Sequence, residues 1–145
     1  MGRILVTGGA GYIGSHAVRQ LGEAGYDLVI YDNCSTGSEE AALFGELTLG
    51  DLADMPRLSR TFARGHFDAV LHFAASVVAP ESVSHPLDYY ANNTRNTLNV
   101  LQCCESFGVG KFIFSSTAAV YGEPQRNPVT EEHPTNPLNP YGRSK

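Results

Sequence analysis

Three side chains late in the sequence have the types and spacing to move a proton and a hydride. Tyr141 and Lys145 stand four apart in Tyr141-Gly142-Arg143-Ser144-Lys145, which puts two side chains on one face of a helix. Asn139 suits an N-cap and Pro140 a first helical position, so a helix is expected to begin there. An isolated phenol titrates at about 10, and an adjacent ammonium favours its anion. Such a phenolate takes the proton of an alcohol while hydride leaves the same carbon. Thr117, which closes Ser115-Ser116-Thr117, is the expected third member. Its short hydroxyl donates to a substrate oxygen and also accepts from it. Plainer readings stand beside these: Tyr and Lys so spaced also occur on solvated helix faces, and a Thr in a turn can bond backbone alone.

A hydride needs an acceptor, and the opening of the chain has the features of a dinucleotide cradle. Ile4 to Val6 is a short apolar run of the kind that forms a buried parallel strand. Gly8, Gly9, Gly11 and Gly14 follow, reading G-x-x-G-x-x-G from Gly8 and G-x-G-x-x-G from Gly9. Behind them Ile13, Ala17, Val18, Leu21 and Ala24 mark one helix face. Strand, glycine turn and helix form the setting in which such glycines bind a pyrophosphate. Gly8 and Gly9 are expected to take angles that a Cβ forbids, Gly11 to let backbone approach the phosphates, and Gly14 to let the helix pack on the strand. The helix N-terminus would turn free N–H groups and its dipole toward the same phosphates. Asp32 ends a second apolar run, Leu28 to Tyr31, eighteen residues past Gly14, close to where a ribose-binding acid belongs. A carboxylate accepts from ribose hydroxyls and repels a 2′-phosphate, so NAD is favoured over NADP. The alternatives are an ordinary strand-to-helix turn and a strand-end turn residue.

The elements that must position these groups alternate. The first helix is expected to stop near Gly25. A second strand spans Asp27 to Asp32, a loop 33–38, and a weaker strand Glu46 to Leu49, ending in Gly50-Asp51-Leu52. A short helix over Met55 to Ala63 would turn Leu58 and Phe62 inward. The fourth strand is Ala69 to Phe73, followed by Ala74-Ala75. One long helical pattern runs from Pro86 to Phe107, and a fifth strand from Lys111 to Ser115. After Thr117 a proline-rich stretch reads as a long loop, a kind that is usually functional. Alternating strands and helices argue for an α/β fold, a Rossmann-type doubly wound parallel sheet in the order 3-2-1-4-5. The pattern runs to a fifth strand and the start of the Tyr/Lys helix. A cleft is expected at the C-terminal ends of strands 1 and 4.

Composition narrows the classes. A length of 145 residues suits one domain, here expected to be an NAD-binding Rossmann domain over 1–145. With 10 basic against 15 acidic residues and no basic cluster in view, nucleic acid is not the expected partner. Cys34, Cys103 and Cys104 have no metal or redox spacing, which suggests reduced thiols in a cytoplasmic protein. No metal site is expected. The N-terminus reads as a strand, without a signal peptide or membrane span.

Several stretches resemble the extended short-chain dehydrogenase/reductases. They are Thr7 to Gly14, Asp32-Asn33, Gly50-Asp51-Leu52, His72-Phe73-Ala74-Ala75, Phe114 to Gly122, and Tyr141 to Lys145. Within that superfamily the chain is most similar to the UDP-glucose 4-epimerase subfamily, through Pro80-Glu81-Ser82-Val83, Pro86 to Tyr90 and Asn92-Asn93-Thr94. The resemblance implies a tightly held NAD and epimerisation at C4 of a UDP-hexose, the UDP-sugar being the substrate. Tyr141 would take the 4-hydroxyl proton and hydride would pass to the nicotinamide. The ketosugar would turn over in the pocket and receive hydride on its other face. It further implies that Thr117 holds the 4-oxygen and that Lys145 binds the nicotinamide ribose. Tyr12, Ile13, Asn33 and the loop after Asp32 would cradle the cofactor. Asp51 and Leu52 would flank adenine, Phe73, Ala74 and Ala75 would line the inner half, and Asn92 would add a polar contact.

The departures carry information too. A dehydratase needs an acid pair after the Thr, and Ala118 and Ala119 have no proton to give. Many epimerases carry Lys where this chain has Val77, so one charged contact to the cofactor is lost. Members of the subfamily continue for a second stretch of comparable length, which supplies most uridine and sugar contacts, so the resemblance implies a fold truncated after the fifth strand and the start of the Tyr/Lys helix, with the C-terminal substrate-binding part absent. The 145-residue chain alone is therefore expected to lack epimerase activity, with strand five an exposed apolar edge. Other readings are a UDP-glucuronate decarboxylase and a non-catalytic NAD or nucleotide-binding module. Oligomeric state stays open, up to a homodimer of the full-length form.

Overall fold

The computed structural model describes residues 2–145. The chain divides into two compact units, one made of residues up to Ala75 with Asn96–Ser115, the other of Ser76–Arg95 with Ser116–Lys145.

The first unit holds the sheet. β1 (Arg3–Thr7), β2 (Asp27–Asp32), β3 (Glu46–Leu49), β4 (Ala69–His72) and β5 (Phe112–Phe114) are all parallel, in the order β3-β2-β1-β4-β5. The expected doubly wound order is thus present. The pattern has two faces because alternate strand residues point to opposite sides. Ile4, Val6, Leu28 and Ile30 pack with Val18 of α1 (Tyr12–Glu23). Leu5, Val29, Tyr31 and Val70 pack on the other face against α2 (Met55–Gly65) and α5 (Asn96–Ser106). Helix α2 starts where Asp54 accepts from the Arg57 amide at 3.1 Å and buries Leu58 and Phe62. His72 is buried within this sheet. Its Nδ1 lies 2.6 Å from the Thr7 hydroxyl and its Nε2 2.8 Å from that of Thr97. The sheet reverses its winding at β1, where the crevice of a doubly wound fold opens. There the Phe73 and Ala74 amides donate to Thr7 O at 2.8 and 3.1 Å. On the edge strand β5, Ile113 is 60% exposed.

The second unit is built of short elements: α3 (Ala79–Ser84), α4 (Pro86–Tyr89), a π-helical segment Tyr90–Arg95, a 3₁₀ turn Ala118–Tyr121 and α6 (Pro140–Ser144). Two sequence expectations are corrected here. The helical pattern from Pro86 is broken by the π segment, and α3 stands where no helix was expected. Pro80 near the start of α3 and Glu81 in its first turn are helix-start signals, but six residues are too few to show a periodicity. Among the described residues, no helix is long and apolar enough to cross a membrane, and no cluster of metal-ligating side chains occurs.

Candidate functional site

In the first unit the bend after β1 is locked from both sides. Gly8 has φ +73°, a conformation that favours glycine, and its amide donates to Tyr31 O at 3.0 Å. A Cβ on Gly8 would lie 2.3 Å from the Ala74 amide nitrogen. Gly9 differs from expectation. It has no positive φ, and its missing side chain instead makes room for Ile30 and Val18. At Gly14 a Cβ would stand 2.1 Å from Gly8 O, whereas at Gly11 its nearest neighbour would be Gly8 O at 3.4 Å. The bend is thus closed on the helix side and open at Gly11. Helix α1 begins at Gly11 with no side-chain cap and no acidic residue in its first turn, so its first amides stay available to an anion.

Asp32 reaches this bend. Its Oδ2 accepts from the Ala10 amide at 2.9 Å, and its Oδ1 from the Cys34 amide at 2.8 Å. A carboxylate offers about four lone-pair directions, so acceptor capacity remains after both bonds. The loop after Asp32 also returns to the bend, with Ser38 N donating to Ala10 O at 3.2 Å and Gly37 packed where a Cβ would strike that oxygen. Gly37 was not a sequence candidate. Next to it Asn33 donates through Nδ2 to Asp51 Oδ2 at 2.9 Å, and Asp51 Oδ1 accepts from the Ala53 amide at 2.8 Å. Asp51 is exposed, whereas the Leu52 side chain is in the core, its carbonyl accepting from Asn99 Nδ2 at 2.9 Å. Phe73 and Ala74 pack partly into the two core faces beside the bend, Ala75 is half-buried, and Tyr12 and Ile13 are exposed at the start of α1.

The three proton-handling candidates lie in the second unit. Tyr141 and Lys145 are carried by α6, whose N-cap Asn139 accepts from the Gly142 amide at 2.8 Å. A Cβ on Gly142 would lie 2.8 Å from Ala119 O, so α6 packs directly on the turn that follows Thr117. Ser116 Oγ donates to Lys145 O at 3.3 Å. The Thr117 oxygen accepts from the Ala119 amide at 3.2 Å, which leaves the O–H proton for another acceptor. Asn92 donates to Ser76 Oγ at 2.9 Å, and Val77 is exposed.

Sequence reasoning missed the groups that hold α6. Buried Asn93 accepts from Ser76 N at 2.8 Å and donates to Ser76 O and Ser144 Oγ, each at 2.9 Å. Ser144 Oγ donates in turn to Tyr141 O at 2.8 Å. Ser82 Oγ accepts the Tyr141 amide at 3.0 Å and donates to Ala79 O at 2.6 Å. The Tyr89 ring meets the Tyr141 ring edge-on at 6.4 Å. One sequence signal existed: a polar pair, Asn92-Asn93, inside an otherwise helical pattern.

The family model described as "NAD dependent epimerase/dehydratase family" matches residues 4–145. The chain belongs to this family. Among family relatives, it is 51% identical over 144 residues to a UDP-glucose 4-epimerase of Azospirillum brasilense, covering 99% of this chain and 41% of that one. UDP-glucose 4-epimerase from Brucella ovis, solved in complex with NAD, superposes with a TM-score of 0.96 at 44% identity, over 99% of this chain and 44% of that one. The UDP-Glc/GlcNAc 4-epimerase from Campylobacter jejuni gives 0.95 at 48%, over 100% and 46%. The chain spans less than half the length of each.

For a family member whose candidate base is Tyr141, the state of Lys145 matters. Burial pulls its ammonium down to about 8 from its ordinary value of 10.5, because desolvation penalises the charged form. An NMR titration of the Lys145 side chain is expected to show a midpoint near that lowered value, and a midpoint at the ordinary one would contradict this burial. Between the two values the unfolded chain binds more of this proton than the folded one. This group's contribution to stability therefore rises with pH across that window, and its cost is present in full below it.

Proposed function

We propose that the chain is the NAD-binding portion of a UDP-hexose 4-epimerase, with residues 1–145 forming its Rossmann domain. The observation that carries this reading is the Asp32 carboxylate bonded to the Ala10 amide, beside a bend that stays open at Gly11. The residues fit the cofactor. Amides at the start of α1 take the diphosphate, and Asp32 takes the hydroxyls of the adenosine ribose. Asp51, Asn33 and the Leu52 backbone border the adenine, Tyr12, Ile13, Phe73, Ala74 and Ala75 complete the cradle, and Asn92, in the second unit, is assigned to the cofactor by family likeness alone. NAD, when bound, supplies a reversible hydride acceptor.

The chain's own residues handle the proton. Tyr141 removes the proton from the sugar 4-hydroxyl and returns it to the 4-oxygen after the face has changed. Thr117 donates its hydroxyl proton to that oxygen and holds it in place. Lys145, below its lowered pKa of about 8, is cationic at neutral pH and donates to the nicotinamide ribose. The UDP-sugar reading is supported by the names of the relatives. The paired alanines after Thr117 favour epimerisation over dehydration.

Binding is the direct test. The purified 145-residue chain should bind NAD, with NADP at least about tenfold weaker, because a 2′-phosphate meets Asp32. Asp32→Ala should remove most of that preference. Equal affinity for both nucleotides in the unaltered chain would sink the reading. The same preparation should not turn over UDP-galactose, since the relatives it matches are more than twice as long.

A further inference from the structure

A second charged site lies at the opposite edge of the sheet. Three arginines of α2, Arg57, Arg60 and Arg64, line a cavity of about 330 Å³ together with Arg3. Their spacing of three and four residues puts them along one helix face, so they form a cluster although no run of basic residues appears in the sequence. This corrects the expectation that no basic cluster exists. Val29 and Phe67 also line the cavity, with one carboxylate, Glu46. Its lining carries four guanidinium groups against one carboxylate, in a chain whose net charge is −5. Arg3 Nε is paired with Asp27 at 3.2 Å. Among the described residues Arg57, Arg60 and Arg64 form no ion pair with a carboxylate.

The place is distinct from the glycine bend. Arg3 is the first residue of β1 and Glu46 the first of β3, so the cavity opens at the N-terminal ends of the strands. The bend follows Thr7, four strand residues further on, or about 13 Å at ~3.3 Å per residue. Like charges along one helix face repel, and among the described residues no carboxylate forms an ion pair with these three. A guanidinium presents a planar fork that matches oxyanions. Arg57 to Arg64 spans two helical turns, about 10 Å, which is longer than one phosphate and suits a short row of them. A volume of this size suits a small molecule, and the negative net charge of the chain disfavours a polynucleotide.

We propose that this cavity binds an oligophosphate anion, gripped by Arg57, Arg60 and Arg64 and separate from the nucleotide cradle. The probe is inorganic tripolyphosphate, titrated calorimetrically into the 145-residue chain at low salt. Three proteins are compared: the unaltered chain, the double variant Arg60→Gln/Arg64→Gln, and Gly11→Asp, which places a carboxylate at the open side of the bend. Both altered arginines are exposed, so circular dichroism and Tm should not change. The expected result is binding to the unaltered chain and to Gly11→Asp, weakened at least about tenfold in the arginine variant. Orthophosphate should bind more weakly, and added salt should weaken both. Binding lost in Gly11→Asp but kept in the arginine variant would assign the anion to the bend and overturn the proposal. Binding no stronger than that of chloride at matched ionic strength would also overturn it, as would displacement of tripolyphosphate by a short DNA duplex at lower concentration. None of these outcomes depends on NAD binding.

Discussion

Gly14→Ala should destabilise the chain and abolish nucleotide binding, although alanine is the better helix former. In an ordinary helix interior the change gains about 0.8–1.0 kcal/mol. Here the new Cβ would stand 2.1 Å from Gly8 O, 2.9 Å from Gly8 C and 2.9 Å from Gly9 Cα. All three are backbone atoms, so no side chain can rotate aside. Gly8 itself is pinned by its amide bond to Tyr31 O and by the Ala74 backbone. The helix must therefore move off the bend, and overpacking of this kind typically costs about 1–3 kcal/mol or more. Clash outweighs propensity, and the sign reverses. The measurements are thermal unfolding and NAD titration, with Gly110→Ala as control, because a Cβ there meets nothing within 4 Å. A Gly14→Ala chain as stable as the control, with unchanged NAD affinity, would show that the bend and helix are not packed this way.

The second large effect is expected at Asn93. Leucine keeps the branched shape but carries no polar atoms, so Asn93→Leu would leave the Ser76 amide, the Ser76 carbonyl and the Ser144 hydroxyl without the partner each has now. A buried polar group so stranded costs about 1–3 kcal/mol, and each of these lies toward the low end, because Ser76 is half-buried and Ser144 keeps its bond to Tyr141 O. A total near ~3 kcal/mol or above corresponds to a fall of roughly 10 °C in Tm. Ser144 holds the Tyr141 carbonyl, so amide hydrogen exchange in α6 should accelerate as well. A Tm within a few degrees of the unaltered chain would mean that water or neighbours take over these bonds, and that Asn93 does not fix the Tyr141 helix. Asn93 makes these bonds from within the π segment Tyr90–Arg95, and single-turn π segments often mark functional positions.

Much of the architecture was legible in the order of residues alone. Short apolar runs found β1, β2, β4 and β5, and the spacing of apolar side chains on one face found α1 and α2. The glycines after Thr7 and the acid at Asp32 were legible because the turn needs those residue types at that spacing. Glu46–Leu49 was found too, though only faintly, since an edge strand buries little. What escaped is what depends on contacts between segments distant in the chain. Gly9 proved to be small for the sake of Ile30 and Val18, which no local pattern reveals. The supports of Tyr141, namely Ser82, Asn93 and Ser144, come from three separate segments and meet only on folding. The four arginines of the far-edge cavity are likewise unremarkable in order: three are spread along one helix and the fourth lies over fifty residues earlier. Local chemistry determined the elements and the kind of group each could hold. Only the tertiary structure decided which polar atoms are already engaged and which remain open to a ligand, because that depends on neighbours from distant segments that the chain brings together only on folding.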